Sequence, residues 1–226
     1  MLKEASSNTR ATDEPAQHKV KEVKDMSFML NYPAYPNRFK IKRVPVGTQI
    51  TTKRYLTESE TAKLFEGEVV IEEKIDGGQD CRILTVDGCK LVVGGEYMKY
   101  VHSITYTKLP AWYVAWDLFD LSNNAFLGID EQLQICRQFG IPHTPVLFRG
   151  VTQLGEVIKQ FIDSRRISTF GSEPAEGVVI KNFGNGVRGK IVRHEFIAGI
   201  ELAGHWSKRK GLKMNRLSLS GTAQMI

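Results

Sequence analysis

Six short runs of β-branched and aromatic residues, "EVVIEEKI", "CRILTV", "CKLVVGGEY", "WYVAWDLFDL", "TPVLF" and "EGVVIKN", divide residues 68–182 into candidate strands. No other feature constrains the fold as much, because such runs fit a pleated surface whose backbone groups must pair with a neighbouring strand. In "TVDGCK" the pair Asp87-Gly88 has the chemistry of a tight hairpin, so the sheets are expected to be largely antiparallel. Helices are expected in four places. In "TESETAKLFEG" Thr57 is the N-cap, Glu60 its capping-box partner three residues on, and Gly67 closes the helix. The others fall at "GIDEQLQICRQFG", "QLGEVIKQFIDSRRIS" and from "HEFIAGIELA". Strands and helices do not alternate strictly, which points to an α+β fold rather than a doubly wound sheet.

The 226 residues suffice for one substantial domain, and an apolar fraction of 42% is ordinary for a globular chain. No apolar run is long enough to cross a bilayer, and the first residues do not read as a signal peptide, so a cytoplasmic protein with no membrane partner is expected. Cys81, Cys89 and Cys136 form no CxxC pair, which fits a reducing compartment and no structural zinc. The net charge of +6 is compatible with a polyanionic partner such as nucleic acid. Lys and Arg thicken in "HWSKRKGLKMNR", either as a solvated face or as a phosphate-contacting patch. Residues 1–28 read as a disordered leader, with Met26 or Met29 as alternative starts; residues 29–212 form the domain and 213–226 a C-terminal tail. "YPAYPNRFKIKRVPVG" reads as strand and turn. A P-loop or dinucleotide loop is missing where such a fold needs it.

Residues 72–78, "EEKIDGG", place Lys74 between carboxylates and glycines at the end of an apolar strand. By itself this is either a solvated turn or a nucleophile. Four more stretches follow in order: "GGEYMKYVHSITY", "YVAWDLFD", "EGVVIKN" and "RGKIVRHEF". Together the five resemble the covalent nucleotidyltransferase superfamily of ligases and capping enzymes, most closely the ATP-dependent RNA ligases, over roughly residues 30–212. The resemblance implies an adenylation domain, ATP-grasp-like, of antiparallel sheets flanked by helices. It also implies ATP and Mg2+ as cofactors, RNA ends or a nicked duplex as partner, and a monomer. The amine of Lys74 would attack the α-phosphate of ATP and expel pyrophosphate, which requires the neutral amine and hence a lowered pKa.

The remaining assignments come with the resemblance. Asp76 and Gly77 shape the turn through which the backbone approaches the nucleotide, while Gly78 is permissive. Glu73 stands where the family has an acidic residue of the adenylate site, although in a regular strand it is Glu72 that shares the lysine's face. Glu96 meets the ribose, and Trp116 the adenine ring, with a plain core tryptophan as the alternative. Glu176, expected in the turn before the strand that begins near Val178, helps bind the metal; Lys181 contacts the α-phosphate, and both Lys181 and Lys190 gather around Lys74. The family's Lys-x-Lys is broken here, with Val192 two residues after Lys190 and Arg193 one further on. His102 and Tyr106 either hold the nucleic-acid strand or pack. The expected reaction has three steps: AMP passes from ATP to Lys74, then to a 5′-phosphate end, and a 3′-hydroxyl displaces it. DNA ligases and capping guanylyltransferases, the enzymatic alternatives, append an oligonucleotide-binding barrel for which "LKMNRLSLSGTAQMI" is too short. A noncatalytic nucleic-acid-binding protein on the same scaffold is the alternative of another kind.

Overall fold

The computed structural model describes residues 55–203 and 211–218. The expected leader, the text "YPAYPNRFKIKRVPVG" and the basic residues before Gly211 lie outside that range. Helix α1 (Glu58–Leu64) begins as its capping box requires. The Glu60 N–H donates to Thr57 Oγ1 at 3.1 Å, and the Thr57 N–H donates to the Glu60 carboxylate at 2.8 Å. Gly67, at φ 84°, turns the chain into β1 (Glu68–Lys74). Next, β2 (Gly78–Val86) and β3 (Cys89–Tyr97) form the expected hairpin, with Asp87 at φ 46° and Gly88 at φ 82°. Both turn residues are left-handed, as a two-residue hairpin of this kind demands.

Strands β4 (Tyr113–Asp120) and β5 (Ala125–Phe126) precede helix α2 (Ile129–Gln138). Strand β6 (Val146–Val151) and helix α3 (Leu154–Val157) come next, and strands β7 (Gly177–Lys181) and β8 (Arg188–Val192) lead to helix α4 (His194–Ala203). The strands form two antiparallel sheets, ordered β6-β1-β7-β8 and β2-β3-β4-β5. The run "TPVLF" enters its strand later than expected, at Val146, because the Pro145 carbonyl instead accepts the Glu73 N–H beside an irregularity in β1 at Ile71/Glu72. The helix expected over "QLGEVIKQFIDSRRIS" widens after α3 into a π-helical turn, Ile158–Asp163. That turn puts the successive residues Phe161 and Ile162 both into the core.

Leu64, Val69, Ile71, Phe161, Ile180 and Ile191 pack against the first sheet, and Leu84, Leu91, Val93, Leu118 and Cys136 against the second. A third cluster, including Met98, Tyr106, Leu109 and Phe170, anchors the long connection between β3 and β4. Residues 213–218, expected as part of a tail, are stitched to that connection. Val101 N–H donates to the Lys213 carbonyl at 2.9 Å, Asn215 N–H to Lys99 at 3.0 Å and Leu109 N–H to Arg216 at 3.0 Å. A boundary at residue 212 therefore cuts a segment bonded to the domain. Its attachment is mostly backbone pairing, which leaves little mark in apolar periodicity.

Candidate active site

The ends of β1, β7 and β8 in one sheet face β2, β3 and β4 of the other across a cleft of ≈ 650 Å³, counted to its open mouth. Of the expected site residues, Glu73, Lys74, Glu96, Trp116, Lys181 and Lys190 line it. Glu176 meets Lys74 at the rim, while Asp76 and Gly77 form the turn behind.

At the rim the Lys74 amine donates to Glu176 Oε2 at 2.7 Å, with side-chain exposures of 21% and 9%. Glu176 ends the turn and Gly177 begins β7, close to the expected start at Val178. A β-carbon at Gly177 would lie 1.9 Å from the Ile191 carbonyl oxygen, so only glycine lets β8 run this close. Burial pulls the Lys74 pKa down, but Glu176, Glu96 and Asp76 outweigh it and hold the amine above its ordinary value. In this arrangement the three carboxylates set the direction, opposite to that expected for the reacting amine. Burial, partly offset by Lys74, likewise raises Glu176. Glu96 is pushed up to about 7, mainly by burial, against the opposing pull of Lys74.

The turn after Lys74 is held from outside the cleft. Asp76 accepts the N–H groups of Ser103 at 2.7 Å and Ile104 at 3.0 Å, and its own N–H donates to the Tyr106 hydroxyl at 2.8 Å. Segment "HSITY" is thus a bracket for the turn that follows Lys74, and Tyr106 is fully buried in it. The Gly77 N–H donates to Glu96 at 3.1 Å, and a β-carbon there would sit 2.7 Å from the Tyr97 carbonyl oxygen. At Gly78 the nearest atom would be 3.7 Å away, which fits its permissive reading.

The floor is a buried ion cluster. Lys181, with no exposed surface, donates to both Glu72 oxygens at 2.8 Å and to the Trp116 carbonyl, and stands 3.5 Å from Asp117. Thr144 Oγ1 donates to Glu72 at 2.8 Å, Gln132 Nε2 donates to Asp117 at 3.0 Å, and Arg188 pairs with Asp117 while lying 3.8 Å over the Phe126 ring. Lys181 is therefore paired with Glu72 rather than gathered around Lys74. Glu73 borders the cleft, but its carboxylate accepts from Ser168 Oγ at 2.5 Å and the Thr169 N–H at 2.9 Å. Strand alternation decides the question left open by "EE": Glu72 reaches the floor lysine, and Glu73 braces the neighbouring loop.

Trp116 occupies an irregularity in the β3–β4 pairing, where Gly94 opposes Asp117 and Gly95 opposes Ala115. It is the one residue of β4 that is not buried, and its ring lies against Gly94, where a β-carbon would approach to 2.7 Å. This placement on the cleft wall argues against a plain core tryptophan. Lys190 lines the cleft and its charge reaches Glu176. Arg193 does not join it: it is buried and donates to the carbonyls of Ala175 at 2.5 Å and Pro174 at 3.1 Å. Sequence reasoning gave no role to Arg188, Asp117 or Thr144; Asp117 left a signal as the aspartate after Trp116 in "YVAWDLFD", and Arg188 as the residue two before Lys190 on one strand face.

The RNA ligase family profile matches residues 81–192, a range that takes in Glu96, Trp116, Glu176, Lys181 and Lys190. Over that range the chain is similar to the RNA ligase family. Lys74 precedes the matched range, so its role rests on the geometry above. The fold is also that of solved RNA ligases. A Naegleria gruberi RNA ligase with PPi is 13% identical with a TM-score of 0.53, over 74% of this chain and 62% of that one. A point mutant of the Naegleria gruberi RNA ligase with ATP and Mn is 11% identical with a TM-score of 0.51, over 70% and 60%. The chain thus spans less than two thirds of the length of those ligases. No protein of curated function matches it in sequence.

Among the described residues no helix is long and apolar enough to cross a membrane, and no group of three or more His, Cys, Asp or Glu residues could cage a metal. The donor set still fits magnesium, which keeps most of its waters and binds through one or two carboxylates together with substrate phosphates. Glu176, buried and raised in pKa, is the carboxylate whose surroundings call for added positive charge.

Proposed function

We propose that this protein is an ATP-dependent RNA ligase in which Lys74 becomes covalently adenylylated. The observation that carries this reading is the Lys74 amine held 2.7 Å from a buried glutamate at the mouth of the cleft. The cleft offers an aromatic wall at Trp116 for the base, the Glu96 carboxylate for a ribose hydroxyl and the Lys190 cation for phosphate oxygens. The amine's lone pair forms the N–P bond at the α-phosphate as the bond to pyrophosphate breaks, so the ammonium proton must leave first. Glu176 is the nearest acceptor, and its raised pKa suits it to receive that proton. Once that proton has passed on to solvent, Glu176 as a carboxylate would be free to hold magnesium, which would supply charge neutralisation for the phosphates. Asp76, fixed by the "HSITY" bracket, keeps the turn from carrying the lysine away. AMP then passes to a 5′-phosphate end of RNA, and a 3′-hydroxyl displaces it.

The test is to incubate the protein with magnesium and α-labelled ATP or GTP and then denature it. Label from ATP that is absent in Lys74→Ala is expected. Label from GTP alone would instead favour a capping guanylyltransferase, and no label from either would remove the covalent mechanism. Sealing of 5′-phosphorylated RNA compared with DNA then tests the substrate.

A further inference from the structure

The segment 211–218 runs next to the bracket that holds the nucleophile turn, and among its residues Asn215 alone is buried. Asn215 is 3% exposed. Its side-chain oxygen accepts the Tyr106 N–H at 2.8 Å, and its amide donates to the Met98 carbonyl at 2.7 Å. On either side of it, Lys213, Met214 and Arg216 are exposed. The backbone bonds from Val101 to Lys213 and from Leu109 to Arg216 bring these cations beside Lys99 and exposed Lys108. None of the four forms an ion pair among the described residues; Lys99 instead stands 5.6 Å over the Tyr100 ring. The bracket's own acids are engaged by backbone: Glu173 accepts the Thr105 N–H at 3.2 Å, and Asp76 those of Ser103 and Ile104.

Four cations with no carboxylate paired to them among the described residues, fastened by a buried asparagine, form a surface rather than a loose tail. They flank residues 102–106, whose N–H groups grip Asp76 two residues from Lys74. Through Asp76 this surface adjoins the turn that carries Lys74. We propose that Lys99, Lys108, Lys213 and Arg216 form a docking surface for the phosphate backbone of the RNA strand whose 5′ end enters the cleft. This rests on the RNA ligase reading for its occupant, and it adds that residues 213–216 are part of the substrate site.

Binding of a 5′-phosphorylated RNA oligonucleotide, followed by fluorescence anisotropy across a salt series, tests it. A single strand contributes about 0.7 to the slope of log K against log salt for each phosphate neutralised. Lys213→Ala/Arg216→Ala is therefore expected to reduce the slope by about 1.4 and to weaken binding by roughly an order of magnitude at moderate salt. Arg137→Ala, exposed on α2 away from the surface, is expected to leave both near wild type. Equal thermal midpoints show that the variants are folded. An unchanged slope in the double variant overturns the proposal, as does a wild type that binds no RNA or binds the DNA strand more tightly. The label test on wild-type protein reads the ligase function separately: RNA binding with the predicted slopes but no lysyl-AMP upholds the surface and removes the covalent mechanism.

Discussion

Two lysine–carboxylate pairs stand a few residues apart in the same cleft, with nearly equal contact distances and different physical situations. Lys74 and Glu176 meet at 2.7 Å at the mouth, where a fifth of the lysine side chain reaches solvent. Lys181 and Glu72 meet at 2.8 Å on the floor, sealed from water and cross-linked to Asp117, Arg188, Thr144 and Gln132. Distance alone does not mark a reactive amine. The number of donors already committed does: Lys181 spends its donors on Glu72 and a backbone carbonyl, whereas among the described residues the one side-chain acceptor bonded to Lys74 is the Glu176 carboxylate. The mouth pair is suited to chemistry and the floor pair to holding two sheets together.

The largest expected effect falls at the mouth. Lys74→Ala should abolish covalent label from ATP while changing the thermal midpoint little, since the pair it removes is partly solvated; residual label in that variant breaks the comparison. At the floor the order reverses. Lys181→Ala should cost about 3–5 kcal/mol in urea denaturation, because it strands Glu72 and half of Asp117's counter-charge in the interior. Lys181→Met/Glu72→Leu should recover much of that loss, since it removes both charges and retains volume. If Lys181→Ala is no less stable than Lys74→Ala, the floor is not a brace.

Smaller effects sharpen the picture of the mouth. Trp116→Ala should weaken ATP binding by about 1–3 kcal/mol in titration calorimetry, the range for a lost stacking contact, with little loss of stability. Glu96 provides a pH signature. Its native pKa of about 7 lies above the 4.5 of an unperturbed glutamate, so between these values the native state binds more protons than the unfolded chain. Stability therefore falls as pH rises through that window and levels off above pH 7. Glu96→Gln should be indistinguishable from wild type near pH 4 and more stable by on the order of 1–2 kcal/mol near pH 8. Equal stability at both pH values would show that Glu96 is not held in a desolvating site.

Much of this was legible along the chain. The capping box of α1, the Asp87-Gly88 hairpin and most of the strands are local features, set by side chains within a few residues of each other. The order of the motifs likewise brought Lys74, Glu96, Trp116, Glu176 and Lys190 forward as one group. What local reading could not find was Arg188 with Asp117, which pair across 71 positions of sequence, or the role of "HSITY", whose partner Asp76 lies 27 and 28 positions earlier. The π-helical turn after α3 was equally hidden, because the demand to bury both Phe161 and Ile162 comes from β7 and β8 rather than from the helix.

The sequence by itself determined which residue types could perform the chemistry and on which strands they ride: alternation separates Glu72 from Glu73, and spacing places Glu176 ahead of its strand. Only the tertiary structure decided which charge meets which. Lys74 and Lys181 carry the same amine, and no local rule assigns Glu176 to one and Glu72 to the other. That choice follows from the packing of one sheet against another, which fixes how far each ammonium stands from water and how many acceptors surround it.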